Sequence, residues 1–196
     1  MQPKQPKQPK KPKIILLNGL KRSGKDYSAD ILLNLLPNSK KMAFADNMKT
    51  IIKETFGITY EELDYWKNNR PKIILPNSSL IDFREILQRF GTEAMKPIFG
   101  DNIWARLVVE EILKTNAEYI IISDFRFLIE YEEMKKYFDV VTLHILDKNN
   151  IDLKDKHSSE NELNNFEFDY IIDNTKKDPD ILKDYLQSFI DIKLGK

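Results

Sequence analysis

Short runs of consecutive apolar residues alternate along the chain with stretches whose apolar positions recur at helical spacing. Ile14-Ile15-Leu16-Leu17, bounded by Pro12 and Gly19, predicts a strand buried on both faces. Beyond a glycine-containing loop, Tyr27 to Leu36 carries a helical pattern that stops before Pro37. Met42-Ala43-Phe44 predicts a short second strand. Met48, Ile51, Ile52 and Phe56 then mark one helix face, with Gly57 placed to end it. Lys67 to Ser79, with two prolines and three asparagines, reads as a loop. Leu80, Phe83, Leu87 and Phe90 follow at helical spacing, as do Ile103, Leu107, Val108 and Ile112. Tyr119 to Ile122 and Val140 to Ile145 predict two further buried strands. Lys148 to Asn165 is polar and charged, which suggests a mobile excursion. Tyr170-Ile171-Ile172 is a last short strand, and Ile181, Leu182, Tyr185, Leu186, Phe189 and Ile190 form the stripe of a closing helix.

Strands alternating with helices predict an α/β fold in three layers, a parallel sheet covered by helices on both faces. In such sheets ligands gather beyond the carboxyl ends of the strands. The polar residues that follow several of these strands are therefore expected to converge there.

Composition narrows the classes. The 196 residues, 41% of them hydrophobic, suit one globular domain. No apolar stretch approaches about 18 residues, so no membrane span is expected. The N-terminus lacks the apolar core of a signal peptide. Cysteine is absent, which excludes disulfide and thiolate chemistry and agrees with a cytoplasmic protein, in the host cytoplasm if the chain is viral. Formal charge is zero but unevenly spread. Residues 1–13 carry five lysines and no acid, leaving 26 basic against 31 acidic residues in the rest. That Lys/Pro-rich segment reads as a disordered or polyproline-like tail, and the folded domain as residues 14–196. An acidic domain argues against nucleic-acid binding, although a basic arm on nucleic acid is an alternative use of the tail.

The strongest chemical signal is Gly19-Leu20-Lys21-Arg22-Ser23-Gly24-Lys25, a G-x-x-x-x-G-K string between a predicted strand and a predicted helix. A loop of this length can curl its amides inward and make an anion site at the positive end of the helix. Gly19 and Gly24 allow backbone angles and close approaches that a side chain would obstruct. Lys25 can reach the β- and γ-phosphates of a nucleotide. Asp26 stands where Ser or Thr would ordinarily meet magnesium. Its carboxylate can organise Mg2+ directly or through water, or alternatively cap the helix. Tyr27 and Ser28 follow, and the Ser28 hydroxyl is a candidate for the phosphates.

A second signal is Ile120-Ile121-Ile122-Ser123-Asp124-Phe125-Arg126. An acid ending a buried strand beside a phosphate loop can hold magnesium water or orient an acceptor, and Arg126 can bind phosphate. A salt-bridged strand end is the competing explanation. Arg84 and Gln88, in Arg84-Glu85-Ile86-Leu87-Gln88-Arg89-Phe90-Gly91-Thr92-Glu93, lie one helical turn apart and can face one cleft, or can be an ordinary solvated face.

The phosphate loop ending in Asp26 resembles that of the bacteriophage deoxynucleoside monophosphate kinases, and the loop of animal phosphomevalonate kinases is related. The D-x-R motif, the R-x-x-x-Q-x-x-G-T pattern of residues 84–92 followed by Trp104, and the block Phe44-Ala45-Asp46-Asn47-Met48-Lys49 extend the resemblance over nearly all the chain after the tail. It implies a P-loop nucleoside monophosphate kinase-like fold, with acceptor-binding helices at about 45–115 and a lid at about 147–166. It also implies an acceptor set of Lys21, Phe44, Ala45, Lys49, Arg84, Gln88, Trp104, Asp124, Arg126 and Glu160. The donor set would be Gly19, Arg22, Ser23, Gly24, Lys25, Asp26, Tyr27, Ser28 and Asn174, the last toward adenine or as a turn cap. His157 to Leu163 looks like the lid and Asp169 to Asn174 like the final strand. The family places an arginine after the strand before the lid. Here Asp147-Lys148 stands there, with Lys148, Lys154 or Lys156 as substitutes that offer a point charge instead of a planar fork.

The function expected on this resemblance is transfer of the ATP γ-phosphate to a deoxynucleoside monophosphate with Mg2+. Lys25, Arg22, Asp124 and Arg126 would be catalytic, and Asp26 and Asp124 would organise the metal. Phosphomevalonate or another small molecule as acceptor, and a non-kinase P-loop ATPase or switch, are the alternatives. No membrane or nucleic-acid partner is expected, and a homodimer is among the assemblies open to the chain.

Overall fold

The computed structural model describes residues 11–74, 80–150, 162, 163 and 165–195. It divides into two compact units, one built from the chain up to Ala43 and from Val109 onward, the other from Phe44–Val108.

The first unit is organised by a five-stranded sheet in the order β2-β5-β1-β6-β7. Its strands are β1 (Lys13–Asn18), β2 (Ser39–Met42), β5 (Tyr119–Ile122), β6 (Asp139–Leu146) and β7 (Tyr170–Asp173). Every pairing is parallel. Ile14 to Leu17 have no exposed surface, as expected of a central strand covered on both faces. The strand also takes in Lys13, one residue of the segment read as tail. The second strand runs Ser39–Met42 and not Met42 to Phe44, because Ser39 pairs with Tyr119 and Met42 with Ile122.

Helix α1 (Lys25–Leu35) and helix α8 (Pro179–Phe189) pack their apolar stripes into one core with the sheet, where Leu32, Leu186 and Phe189 meet Ile15, Leu143 and Ile145. Asp178 caps α8 by accepting from the Asp180 and Ile181 amides, with Pro179 in the first turn. Helix α7 (Leu128–Lys135) is absent from the hydrophobic pattern. Its buried positions are Glu130, Glu133 and Met134, so it carries almost no apolar stripe.

The second unit holds α2 (Asp46–Phe56), α3 (Tyr60–Asn69), the antiparallel pair β3 (Lys72–Ile74) and β4 (Leu80–Asp82), α4 (Phe83–Gln88), a π-helical stretch (Arg89–Ala94) and α5 (Met95–Phe99). It also contains the start of α6 (Ile103–Ile112), which continues into the first unit. Gly57 ends α2 in the left-handed conformation. The loop expected over Lys67 to Ser79 is corrected over its described part, while residues 75–79 lie outside the described residues. Lys67 to Asn69 finish α3, and Lys72 to Ile74 pair with Leu80 to Asp82, which removes Leu80 from the helix assigned to it. Helix α3 starts at a capping box, with the Thr59 hydroxyl accepting from the Glu62 amide and the Glu62 carboxylate accepting from the Thr59 amide. Ile52, Leu63, Phe83 and Leu87 form the core, with Phe56, Trp66 and Phe83 meeting edge to face.

Candidate active site

The loop from Gly19 to Gly24 leaves β1 between two neighbouring strands and delivers the chain into α1. A Cβ on Gly19 would stand 2.7 Å from the Ile145 carbonyl oxygen and 2.5 Å from Ser23 Oγ, so the close approach to β6 requires glycine. Gly24 has φ 96°, left-handed, and a Cβ there would lie 2.5 Å from Asn174 Nδ2. Between them the Ser23 amide donates to the Leu20 carbonyl at 3.1 Å. Ser23 Oγ is buried with no hydrogen-bond partner, an oriented polar group at the heart of a loop suited to anions. Lys21 and Arg22 are exposed, Arg22 with a positive φ of 65°. Lys25 is half-buried, with its Nζ 3.5 Å from the Leu20 carbonyl oxygen, over the loop.

Asp26 makes no capping hydrogen bond. It stands in the first turn of α1, where negative charge is favourable, and its Oδ1 accepts from the Ser123 hydroxyl at 2.9 Å. This links the loop's far flank to the end of β5, where Asp124 is half-buried and Arg126 exposed. Glu130, itself buried, accepts from the Arg126 and Phe127 amides at 2.8 and 3.0 Å and fixes that turn. Ser28, a candidate for the phosphates, lies in the first turns of α1. It is fully buried, and its hydroxyl donates to the Gly24 carbonyl at 3.0 Å.

Asn174 follows β7. Its Nδ2 donates to the Ser23 carbonyl at 2.9 Å, bracing the loop from β7. It also lines a cavity of about 130 Å³ with Arg22, Gly24, Tyr27, Lys177 and Leu182. Lys177 is a cavity residue that the sequence reading missed. Its Nζ lies 3.0 Å from Oδ2 of Asp147, whose side chain is fully buried, as an ion pair without hydrogen-bond alignment. Lys148, a candidate substitute for the lid arginine, pairs with Asp173 at 2.6 Å, and with Thr175 it holds the Asp173 carboxyl down to about 2. Lys154, Lys156, His157, Glu160 and most of the expected lid lie outside the described residues, as do residues 1–10 of the tail.

The remaining acceptor candidates belong to the second unit. Arg84 is half-buried and Gln88 exposed on α4, whereas Phe83 and Leu87 turn into the core, so the two polar residues do not serve that core. Trp104 is buried, and its Nε1 donates to the Gly91 carbonyl at 2.9 Å. A Cβ on Gly91 would stand 2.7 Å from Met48 Sδ, so a larger residue there would require the methionine side chain to shift. Phe44 is buried, and Lys49 pairs with Asp46 at 3.0 Å beside Ala45. An open apolar groove of about 420 Å³, lined by Phe56, Ile81, Ile86 and Phe90 among others, does not include Arg84 or Gln88.

His144 on β6 is set below the usual imidazole range by burial. Because the folded state disfavours its protonation, the unfolded chain takes up the proton first as pH falls below about 6.5. Stability is therefore complete above that pH and declines beneath it, down to the depressed folded value. Urea unfolding of wild type and His144→Phe from about pH 5 to 8 should show this decline in wild type and its reduction in the variant.

A family profile described as deoxynucleotide monophosphate kinase matches residues 59–184, well over half of the chain. The chain belongs to the deoxynucleotide monophosphate kinase family. The match begins after the phosphate loop, so that loop and the family profile are separate observations. Among curated relatives, the UPF0200 proteins of Saccharolobus islandicus and Saccharolobus solfataricus are 26% identical over 124 residues, which are 63% of this chain and 51% of theirs. The chain thus spans about half the length of these relatives. Among solved structures, TT1252 from Thermus thermophilus superposes with a TM-score of 0.53 at 16% identity, covering 94% of this chain and all of that one, which shows a shared fold. No helix among the described residues is long and apolar enough to cross a membrane.

Proposed function

We propose that this member of the family transfers the γ-phosphate of ATP to a deoxynucleoside monophosphate, giving the diphosphate. The observation that carries the reading is the phosphate loop: a glycine-constrained turn at the carboxyl end of a central parallel strand, opening a helix, with Lys25 over it. Phosphoryl transfer asks little covalent work of a protein; it needs positioning and neutralised charge. Loop amides and Lys25 hold the donor phosphates, with Lys21 and Arg22 as exposed cations beside them. The cavity lined by Tyr27, Asn174, Lys177 and Leu182 takes the donor base. Arg126 is the first unit's candidate for the acceptor phosphate, and Arg84 and Gln88 are the second unit's candidates for acceptor phosphate and acceptor base.

The carboxylates of Asp26, which accepts from the Ser123 hydroxyl, and of Asp124, just after β5, are hard oxygen donors of the kind that Mg2+ takes. Magnesium is commonly held by one or two carboxylates together with nucleotide phosphates and water. Asp26 and Asp124 would hold it, and the ion would neutralise charge on the phosphates.

The acceptor assignment predicts different consequences for two neighbouring residues. Arg84→Ala should lower catalytic efficiency at least about tenfold for every monophosphate, through loss of a charge-assisted hydrogen bond. Gln88→Ala should instead re-rank the bases, because an amide can both donate and accept on a base edge. ATP affinity should change little in either. Steady-state rates across deoxy- and ribonucleoside monophosphates test this. Wild-type rates for both variants across that set would refute it.

A further inference from the structure

Asn18 closes β1 directly before Gly19 and belongs to none of the motifs. Its Nδ2 donates at 2.9 Å to the carbonyl of Phe125, the residue between Asp124 and Arg126. Its Oδ1 lies 2.7 Å from Nδ1 of His144, its register partner on β6. An amide whose nitrogen donates to a carbonyl presents its oxygen as the acceptor. The hydrogen between the two side chains therefore sits on His144 Nδ1, fixing the neutral Nδ1–H tautomer. The imidazole leans on Phe168 with ring centroids 4.9 Å apart and a 35° tilt.

These bonds complete a fastening begun elsewhere. The Ser123 hydroxyl holds Asp26 on the far flank of the phosphate loop, and the Phe125 amide donates to the Leu17 carbonyl at 3.2 Å. Asn18 adds a side-chain bond on the near flank, beside that of Leu17. The turn bearing Asp124 and Arg126 is thus bound to the chain on both sides of the loop, and the Asn18 bond uses an amide whose oxygen is held by His144.

We propose that Asn18 and His144 are a positioning pair for this site: His144 orients the Asn18 amide, and Asn18 sets the Phe125 carbonyl and so places Asp124 and Arg126 against the phosphate loop. The kinetic consequence rests on the phosphoryl-transfer reading. Displacing reacting or charge-stabilising groups by about 1 Å can cost on the order of a hundredfold in rate, so loss of the link should be visible in turnover.

Two substitutions at one position separate orientation from packing. His144→Phe keeps an aromatic ring beside Phe168 and removes the donor. His144→Asn removes the ring and returns an N–H close to the place of Nδ1. With magnesium and ATP, and the deoxynucleoside monophosphates as acceptors, His144→Phe and Asn18→Leu should each lower kcat about tenfold or more, with the KM for ATP changed by less than about threefold. His144→Asn should recover most of the lost turnover, with thermal melting recorded for each. Nitrogen-15 NMR of wild type should show the Nδ1–H tautomer, its preference lost in Asn18→Leu together with shifts of the Asp124 to Arg126 amides. Wild-type kcat in His144→Phe, equal impairment in His144→Asn, or an Nε2–H tautomer in wild type would overturn the proposal. A wild type that phosphorylates no nucleotide would sink the substrate reading, while the tautomer and the amide shifts would still decide the pair.

Discussion

Replacing Lys25 with Ala should abolish nearly all phosphoryl transfer, by at least about a hundredfold in kcat, while the protein melts as wild type does. The lysine begins α1, is half-buried, and contributes nothing to the core formed by Leu32, Leu186 and Phe189 with the sheet. Its ammonium lies over the loop, 3.5 Å from the Leu20 carbonyl oxygen. Charge on the transferred phosphoryl group must be met by groups already in place, and a preorganised cation is worth far more there than in water. Steady-state turnover with magnesium and ATP, paired with thermal unfolding, checks both halves of the expectation. A folded Lys25→Ala protein with ordinary turnover would remove the phosphate loop from the mechanism.

Gly19→Ala should cost roughly 1–3 kcal/mol of stability through overpacking and, because the loop must shift to admit the methyl, weaken ATP binding about tenfold or more. The added methyl would meet the Ile145 carbonyl oxygen at 2.7 Å. That oxygen is backbone of β6, held between β1 and β7, and cannot swing away as a flexible side chain would. The same methyl meets Ser23 Oγ at 2.5 Å, so the loop itself must shift. Gly57→Ala provides the contrast. Gly57 is left-handed, with open space where a Cβ would go. Its substitution should lower stability without touching ATP affinity. Calorimetric titration with ATP and thermal melting of both variants separate the two effects, and unaltered ATP affinity in Gly19→Ala would contradict the loop geometry.

Much of the first unit was readable from sequence because β1 and β5 are apolar on both faces and helices α1 and α8 carry apolar stripes. Four consecutive apolar residues bounded by Pro12 and Gly19 can hardly be anything but a buried strand, and the closing helix repeats its apolar positions through Phe189. Helix α3 was lost because few of its residues are apolar and only Leu63 is buried, although the Thr59 and Glu62 capping pair stood in the sequence. The β3–β4 pair was lost because each strand is three residues long and the surrounding prolines and asparagines read as loop. Helix α7 buries two glutamates, one of them tying down the Arg126 turn, and no periodicity announces that.

The site divides in the same way. A contiguous loop such as Gly19 to Lys25 is visible in one glance at the chain. Ser123 against Asp26, and Asn18 between Phe125 and His144, join residues up to 126 positions apart. Only the strand order β5-β1-β6 brings those three strand ends side by side. Ser28, close to the loop in sequence, has a hydroxyl that the start of α1 turns onto the Gly24 carbonyl, a bond that the sequence does not announce.

The most direct measurement is acceptor-dependent ADP formation by the wild-type protein with magnesium and ATP, using deoxynucleoside monophosphates, ribonucleoside monophosphates and phosphomevalonate as acceptors. The account predicts ADP and a matching deoxynucleoside diphosphate in equal amounts with at least one deoxynucleoside monophosphate, and negligible ADP without an acceptor. ADP release that is the same with and without acceptor, or that depends only on phosphomevalonate, would contradict it.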